Sequence, residues 1–304
     1  MAKRTRLQKL CYRPAYAVAI RRRADAGAPY RVKYPSPLSW YADPFVCADG
    51  GKTYVFVELM NSYHLDGEIA VAPVEDGVIG SFRVVLHEPF HLSFPNIFLW
   101  EGTWYMIPET YAAGEVRLYR ADSFPYRWSL DKVLRKGGWL VDHALYPVSD
   151  GFFMVSYDTT DPKDQRNRIF RLDMRQKALR EIFPAGNWCR ERPGGTFYQE
   201  QGIWHHAIQD CKKAYGDYLH IYAVDAFAEE RFEEHEVRRM DAGNTPFSPD
   251  NRRMEHLHTY NCNAEYEVID LQYDKLYPDK FFIHQWQEIL KRIKRSKRAK
   301  RGGR

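Results

Sequence analysis

The sequence predicts an all-β protein: a five-bladed β-propeller followed by a short C-terminal amphipathic helix. Three observations carry that expectation. First, four segments share one pattern of apolar strand, glycine turn and aromatic-rich strand ending on a polar or acidic residue: ADPFVCADGGKTYVFVE, SFPNIFLWEGTWYMIPE, DHALYPVSDGFFMVSYD and RPGGTFYQEQGIWHHAIQD. Second, their turn glycines Gly51, Gly102, Gly151 and Gly202 stand 51, 49 and 51 residues apart, a period that belongs to a repeat architecture. Third, further strand-like runs such as EIAVAPV, EVRLYRA and NRIFRLD fill the intervals, about four strands per repeat, which is the content of a propeller blade.

The elements follow in order. YVFVE, WYMIPE, FFMVSYD and YLHIYAVD are β-branched and aromatic runs bounded by Gly, Pro, Asp and Asn, so each reads as a strand. Four units reach Asp210, and the chain from Tyr218 to Asp270 leaves room for a fifth. The N-terminal AYAVAIRRR is a strand without a neighbour in sequence; pairing with the last blade would close the ring and remove the open sheet edges. Residues 1–278 are therefore expected to form the propeller and 279–304 a helix with a basic tail. In that tail Phe282, Trp286, Ile289 and Ile293 recur at helical spacing beside a dense cationic flank.

Charge is partitioned along the chain. The 304 residues carry 45 Lys+Arg and 40 Asp+Glu, a net charge of +5. Nine basic residues and no acidic one lie from Lys291 to Arg304, and eight and none from Met1 to Arg23. That leaves 28 basic against 40 acidic residues, about −12, for 24–290. An acidic body with basic ends argues against a nucleic-acid surface spread over the domain, and no nucleic acid is expected as a partner. No apolar run approaches the roughly 18 residues of a membrane span, and the basic N-terminus lacks the pattern of a secretory signal. Five cysteines, odd in number and never spaced as CxxC, read as reduced thiols of a cytoplasmic protein.

The repeat also aligns chemically distinct residues. Eight residues before the turn glycines stand Asp43, Phe94, His143 and Gly194, with Asp142 one step earlier; seven after them stand Glu58, Glu109, Asp158 and Gln209, with Asp210 next. If the inner strands line a central channel, carboxylates from several blades converge there. Paired carboxylates suit glycosyl chemistry, in which one group donates a proton while another accepts one or stabilises positive charge. His91 precedes the second inner strand and could supply a proton or a hydrogen bond to a sugar hydroxyl. Adjacent His205 and His206 would point to opposite faces of a strand. His256 and His258 share a face but have no partner fixed by spacing, so no metal and no cofactor are expected.

The run from ADPFV through GEIAVAPVEDG, LHEPFHLSFPNIF, WYMIPET, GEVRLYRADSFPYRW, RPGGTFY and QDCKKAYGDYLHIYAV resembles the N-terminal propeller domain of the plant glucosamine inositolphosphorylceramide transferases and their bacterial relatives, over roughly Tyr16 to Asp270. More remotely, the ADP motif is similar to that of five-bladed arabinanase and β-xylosidase-type hydrolases. That resemblance implies a general base at Asp43 and a pKa-tuning carboxylate at Asp142. A general-acid glutamate in the fourth blade has no counterpart, because the segment reads ERPGG with Glu191 displaced and Arg192 at the mouth. A guanidinium cannot protonate a leaving group, but its planar fork suits phosphate or carboxylate.

The expected function is therefore a carbohydrate-active propeller in surface-glycan or glycolipid assembly, performing glycosyl transfer or glycan modification on an anionic or phosphate-linked substrate. Asp43, Asp142 and Glu109 are the candidate catalytic residues; Arg192, Asp210, His91 and Glu58 are the candidate substrate-binding ones. Its partner would be a glycan, a glycolipid or a nucleotide sugar. The alternative is a non-catalytic glycan-binding or scaffold module for a separate glycosyltransferase, and glycoside hydrolysis fits less well. The basic helix of 279–304 suits an anionic membrane surface, which would place the protein in the cytoplasm at the inner face of a membrane.

Overall fold

A computed structural model describes residues 12–61, 66–212, 216–248 and 254–276, together with Trp286, 288–290 and 292. Five antiparallel sheets succeed one another as the blades of a propeller. Blade I holds Ser39–Asp49, Lys52–Asn61 and Gly67–Glu75, with an outer edge broken into Val78–Ile79 and Arg83–Leu86. Blade II runs Ser93–Trp100, Thr103–Glu109, Glu115–Ser123 and Arg127–Lys136; blade III runs Leu140–Val148, Gly151–Asp158, Arg166–Asp173 and Ala178–Ile182. Blade IV runs Tyr198–Glu200, Ile203–Asp210, Tyr218–Phe227 and Phe232–Met240. Blade V takes Met254–His256, Tyr260–Cys262 and Tyr266–Leu276 from the far end of the propeller, and Tyr12–Arg22 and Arg31–Lys33 from its beginning. Tyr12 pairs with Leu276 and Arg22 with Tyr266, so a continuous antiparallel ladder closes the ring.

Both faces of each blade are covered by its neighbours, which explains why the middle strands read as unbroken apolar runs rather than alternating ones. In Lys52–Asn61, Tyr54 and Phe56 pack toward blade II with Phe94, Met106 and Tyr119, while Val55 and Val57 pack toward blade V with Val18, Ile20 and Val268. Three further clusters join blades II and III, III and IV, and IV and V. The period-2 side-chain alternation therefore assigns successive residues to opposite inter-blade seams.

The glycine frame of the repeat slips once. In blades I, II and IV the glycine lies in the tight turn, but Gly151 is the first strand residue and pairs with Val148. The residue of blade III that matches Asp43 and Phe94 is therefore Asp142, not His143. His143 is fully buried beneath it, its Nδ1 2.9 Å from Ser156 Oγ, and burial pushes its imidazole down to about 4.

The double glycine of RPGG has a packing cause. A Cβ on Gly195 would lie 2.0 Å from the carbonyl oxygen of Tyr260, and one on Gly194 would lie 2.6 Å from Leu219 Cδ2. The first of these obstacles is backbone and cannot rotate away, so blades IV and V approach as closely as they do only over glycine. Gly195→Ala is expected to cost about 3 kcal/mol, read as a lowered denaturant midpoint at constant slope.

Trp286, 288–290 and 292 are helical, and Trp286 and Ile289 are exposed. Phe282 and Ile293, the other two members of the expected stripe, lie outside the described residues. Among the described residues no helix is long and apolar enough to cross a membrane.

Candidate active site

The site grows from one backbone irregularity repeated in three blades. Asp43, Phe94 and Asp142 adopt left-handed φ values of 50°, 44° and 50°, each inside a register break of the inner strand: between Ala42 and Phe45, Ser93 and Asn96, and Val141 and Ala144. Such a bulge costs backbone energy, most of all at a bulky residue like Phe94. It frees the amide of the left-handed residue, and in each case a carboxylate of the preceding blade accepts it. Asp43 N donates to Asp270 Oδ2 at 3.0 Å, Phe94 N to Asp43 Oδ2 at 3.2 Å and Asp142 N to Glu109 Oε2 at 3.3 Å. The acids gathered at the mouth of the channel thus also fasten blade V to I, I to II, and II to III.

Pairing of adjacent strands sets the rest. Glu58 lies opposite Ala42 and Glu109 opposite Ser93. The matching residue of blade IV is Gln209, whose Nε2 donates to Asp142 Oδ2 at 3.2 Å and to the Pro193 carbonyl at 2.7 Å. In blade V it is Asp270, fully buried, which accepts amides from His258 at 3.0 Å and Thr259 at 2.9 Å in addition to that of Asp43. Asp43, Glu58, His91, Glu109 and Arg192 line a cleft of about 270 Å³, with Ser93, Tyr111, Val141 and Thr159 on its walls; Asp142 lies buried against Arg192.

Crowding dictates the protonation states. Like charges removed from water cannot all ionise, so some of the acids must hold their protons. Burial, reinforced by Asp43, Glu109, Asp270 and Asp142, lifts the Glu58 carboxyl well above the ordinary range. Burial and Asp142 do the same to Glu109, although Arg192 opposes the shift. Asp43 is pushed up to about 6 by burial, with His258 pulling the other way and Asp270 and Asp142 adding to the rise. Burial lowers His258, but Asp270 and Asp43, at 2.8 Å and 3.3 Å from its ring nitrogens, outweigh it and hold the imidazole above its ordinary value. His91 accepts the Gly67 amide on Nδ1 at 2.9 Å, which leaves its proton on Nε2, 3.6 Å from Glu58 Oε1.

A raised carboxyl stabilises the fold while it keeps its proton and loses that contribution as pH rises through its folded value. Raising the pH from about 4 through 6 and beyond is therefore expected to lower wild-type stability relative to a Glu109→Gln variant, which has no proton to surrender. Paired denaturation curves across that range check it; a difference that stays flat with pH refutes the assignment.

Asp43, Asp142, Glu109, Arg192, His91 and Glu58 are thus brought together, and Asp210 is not. Next to Gln209 on the strand, Asp210 faces away, accepting the Lys212 amide at 2.8 Å and lying 3.6 Å from His220 Nε2. Arg192 departs from its expected role. Its Nε bonds Asp142 Oδ2, and Nη2 lies 3.7 Å from Glu109 Oε2, so the guanidinium is engaged by acids rather than offered to an anion. Sequence reasoning also passed over Asp270 and Thr259, and weighed His258 only as a metal ligand. Blade V turns through Asn263, without a glycine, so the periodic marker ends one blade early. An aspartate inside the apolar run VIDL was the available sign. Asp43, His258 and Asp270 offer ligand atoms within 4.8 Å of one another and could hold an ion, but backbone amides and the Thr259 hydroxyl, 2.8 Å from Asp43 Oδ1, already occupy their oxygens. His256 does not join them; its Nδ1 lies 3.3 Å from Asp217.

Residues 27–265 match the family model described as glucosamine inositolphosphorylceramide transferase 1, N-terminal. The chain belongs to this family. Among glucosamine inositolphosphorylceramide transferases it is 29% identical over 208 residues to that of Oryza sativa subsp. indica and 28% identical over 211 residues to that of Arabidopsis thaliana, covering 65% and 66% of this chain. It spans only 28% of the length of either relative. Among solved structures, a GH43_1 enzyme of Xanthomonas citri complexed with xylotriose superposes with a TM-score of 0.55 at 14% identity, covering 80% of this chain and 88% of that one. That likeness establishes a shared propeller fold.

Proposed function

We propose that the cleft binds a sugar of a glycan or glycolipid and that the propeller carries out glycosyl transfer or glycan modification in glycolipid assembly. The observation behind this reading is the set of carboxyls that lines one cleft, Asp43 and Glu58 of blade I and Glu109 of blade II, with Glu58 and Glu109 lifted well above the ordinary range and Asp43 pushed up to about 6. Glu58 is the proton donor the geometry favours. Burial and four neighbouring acids hold its proton on, and it borders the cleft. Asp43, held by Thr259 and beside His258, is the group that ionises near neutrality and stabilises positive charge at a reacting carbon. A cleft of this size, near the lower end of the ~300–1,000 Å³ typical of ligand sites, accommodates about one sugar ring. Its excess of acids over Arg192 and His258 suits hydroxyls or an amine on that ring better than a phosphate. The relatives' name, with its glucosamine, is consistent with such a sugar.

The test is incubation of purified protein with nucleotide sugars and glycolipid acceptors. Sugar transfer lost in Glu58→Gln supports the reading; binding without turnover under every pairing rejects catalysis. A second reading, a glycan-binding module serving a separate transferase, is favoured by one fact: the match spans little more than a quarter of the relatives' length and lies in their N-terminal part.

We also propose that 279–304 holds the protein against an anionic membrane at the cytoplasmic face. Deleting 291–304, which carries nine basic residues, should weaken sedimentation with anionic vesicles about tenfold or more and remove its salt sensitivity. Equal binding by the truncated chain refutes it.

A further inference from the structure

Anion recognition, which Arg192 is not placed to provide, has a second location. A pocket of about 220 Å³ lies where blade III meets the linker to blade IV, lined by Arg166, Arg168, Phe183, Trp188 and Arg190 among others. Arg166 pairs with Asp158, which pairs with Leu140, so this pocket lies at the same end of blade III as Asp142. Two strand spacings, about 10 Å, separate the inner strand from the third. The linker that carries Trp188 and Arg190 to the pocket delivers Arg192 to the acidic cleft two residues later. It is fixed there by Asn167, whose amide donates to the Arg190 carbonyl at 2.8 Å and whose side chain donates to Cys189 and Glu191 carbonyls.

The pocket is rich in donors. The Arg190 guanidinium stacks 3.5 Å over the Trp188 ring, and among the described residues no carboxylate pairs with it. Trp188 is 8% exposed, and its indole N–H has no acceptor among the described residues. Arg166 is half exposed and among the described residues pairs with Asp164 alone, at 3.3 Å; Arg168 is neutralised by Asp158 and Glu181. Burial and the neighbouring Arg166 both push the Arg190 guanidinium below its ordinary value. Phe183, 82% exposed, stands at the rim as an apolar surface beside these donors.

We propose that this pocket is a phosphate subsite, taking a phosphate ester carried on an apolar or aromatic group while the acidic cleft takes a sugar. This rests on the cleft reading for the sugar half only. Glu181, which also lines the pocket, is taken up by Arg168, and the guanidinium forks of Arg166 and Arg190 match phosphate oxygens and give a neutral sugar no acceptor. The shared chemistry could come from a nucleotide diphosphate or from a lipid phosphodiester, and the probes separate them.

The experiment titrates full-length wild type, Arg190→Gln and Arg166→Gln with UDP and, separately, with glycerophosphoinositol, a soluble lipid head group that presents no bilayer to the basic tail. At least one probe should bind wild type, with affinity falling about tenfold or more in Arg190→Gln and several-fold in Arg166→Gln. Arg166 is half exposed, so its variant tests the site even if loss of the Trp188 stack unfolds the other. UDP binding alone assigns a nucleotide, and glycerophosphoinositol binding alone a lipid. No binding of either probe, or equal binding by wild type and Arg166→Gln, overturns the proposal. A parallel titration of Glu58→Gln with glucosamine separates the two sites. Sugar binding lost with phosphate binding retained leaves this subsite standing, whereas failure of glucosamine to bind wild type counts against the cleft reading alone.

Discussion

Asp270→Ala is expected to destabilise the propeller by about 5 kcal/mol and to lower its unfolding midpoint more than any other substitution at the channel mouth. The carboxylate accepts three backbone amides, from Asp43, His258 and Thr259, in a fully buried setting. Each amide left without an acceptor costs about 1–3 kcal/mol, and His258 would lose its nearest counter-charge as well. The effect concentrates at the seam between blade V and blade I, where the ring closes. Asp270→Asn tests the cause. One amide oxygen can still serve two of the donors, but its NH2 group would confront the third, so an intermediate loss is expected. Urea denaturation of the three proteins checks the order; an alanine variant within about 1 kcal/mol of wild type would falsify the assignment.

Glu58→Gln is expected to reduce sugar transfer at least 100-fold while leaving the fold intact, since general-acid catalysis is worth ~10²–10⁴ in rate and glutamine keeps the shape without the labile proton. The pH profile supplies the independent check. Activity requires Asp43 ionised and Glu58 protonated, so the rate should rise with pH through about 6, the value to which Asp43 is pushed, and fall again as Glu58 gives up its proton. The two acids interact, so these limbs belong to the pair. Residual activity of Glu58→Gln should keep the acid limb and lose the alkaline one. A variant that retains both limbs would show that the proton comes from elsewhere, with Glu109 the next candidate.

The period of the turn glycines and the unbroken apolar strands made the propeller legible, because burial on both blade faces writes itself directly into composition. Convergence of Asp43, Glu58, Glu109 and Asp142 was legible for the same reason: equivalent places in a repeat end up around one axis. What a repeat cannot report is a single-residue shift. Gly151 moved from turn to strand and exchanged His143 for Asp142 as the residue at the mouth. Nor does it report partners. Arg192 looked available because nothing in ERPGG reveals that Asp142, fifty residues earlier, takes its guanidinium. Asp210 looked like a site residue beside Gln209, yet strand alternation turns it outward.

The closing ladder sets a direction as well as a seal. Tyr266–Leu276 rises from its hairpin with Cys262 past Asp270 at the channel mouth and on to Leu276, which lies opposite Tyr12. Tyr12 and Leu276, the first and last residues of the described propeller, therefore both lie on the cleft side of the ring. The end of the ring at which the chain enters and leaves is thus also the end that carries the acidic cleft and the arginine pocket, so whatever approached the propeller from that side would meet both at once.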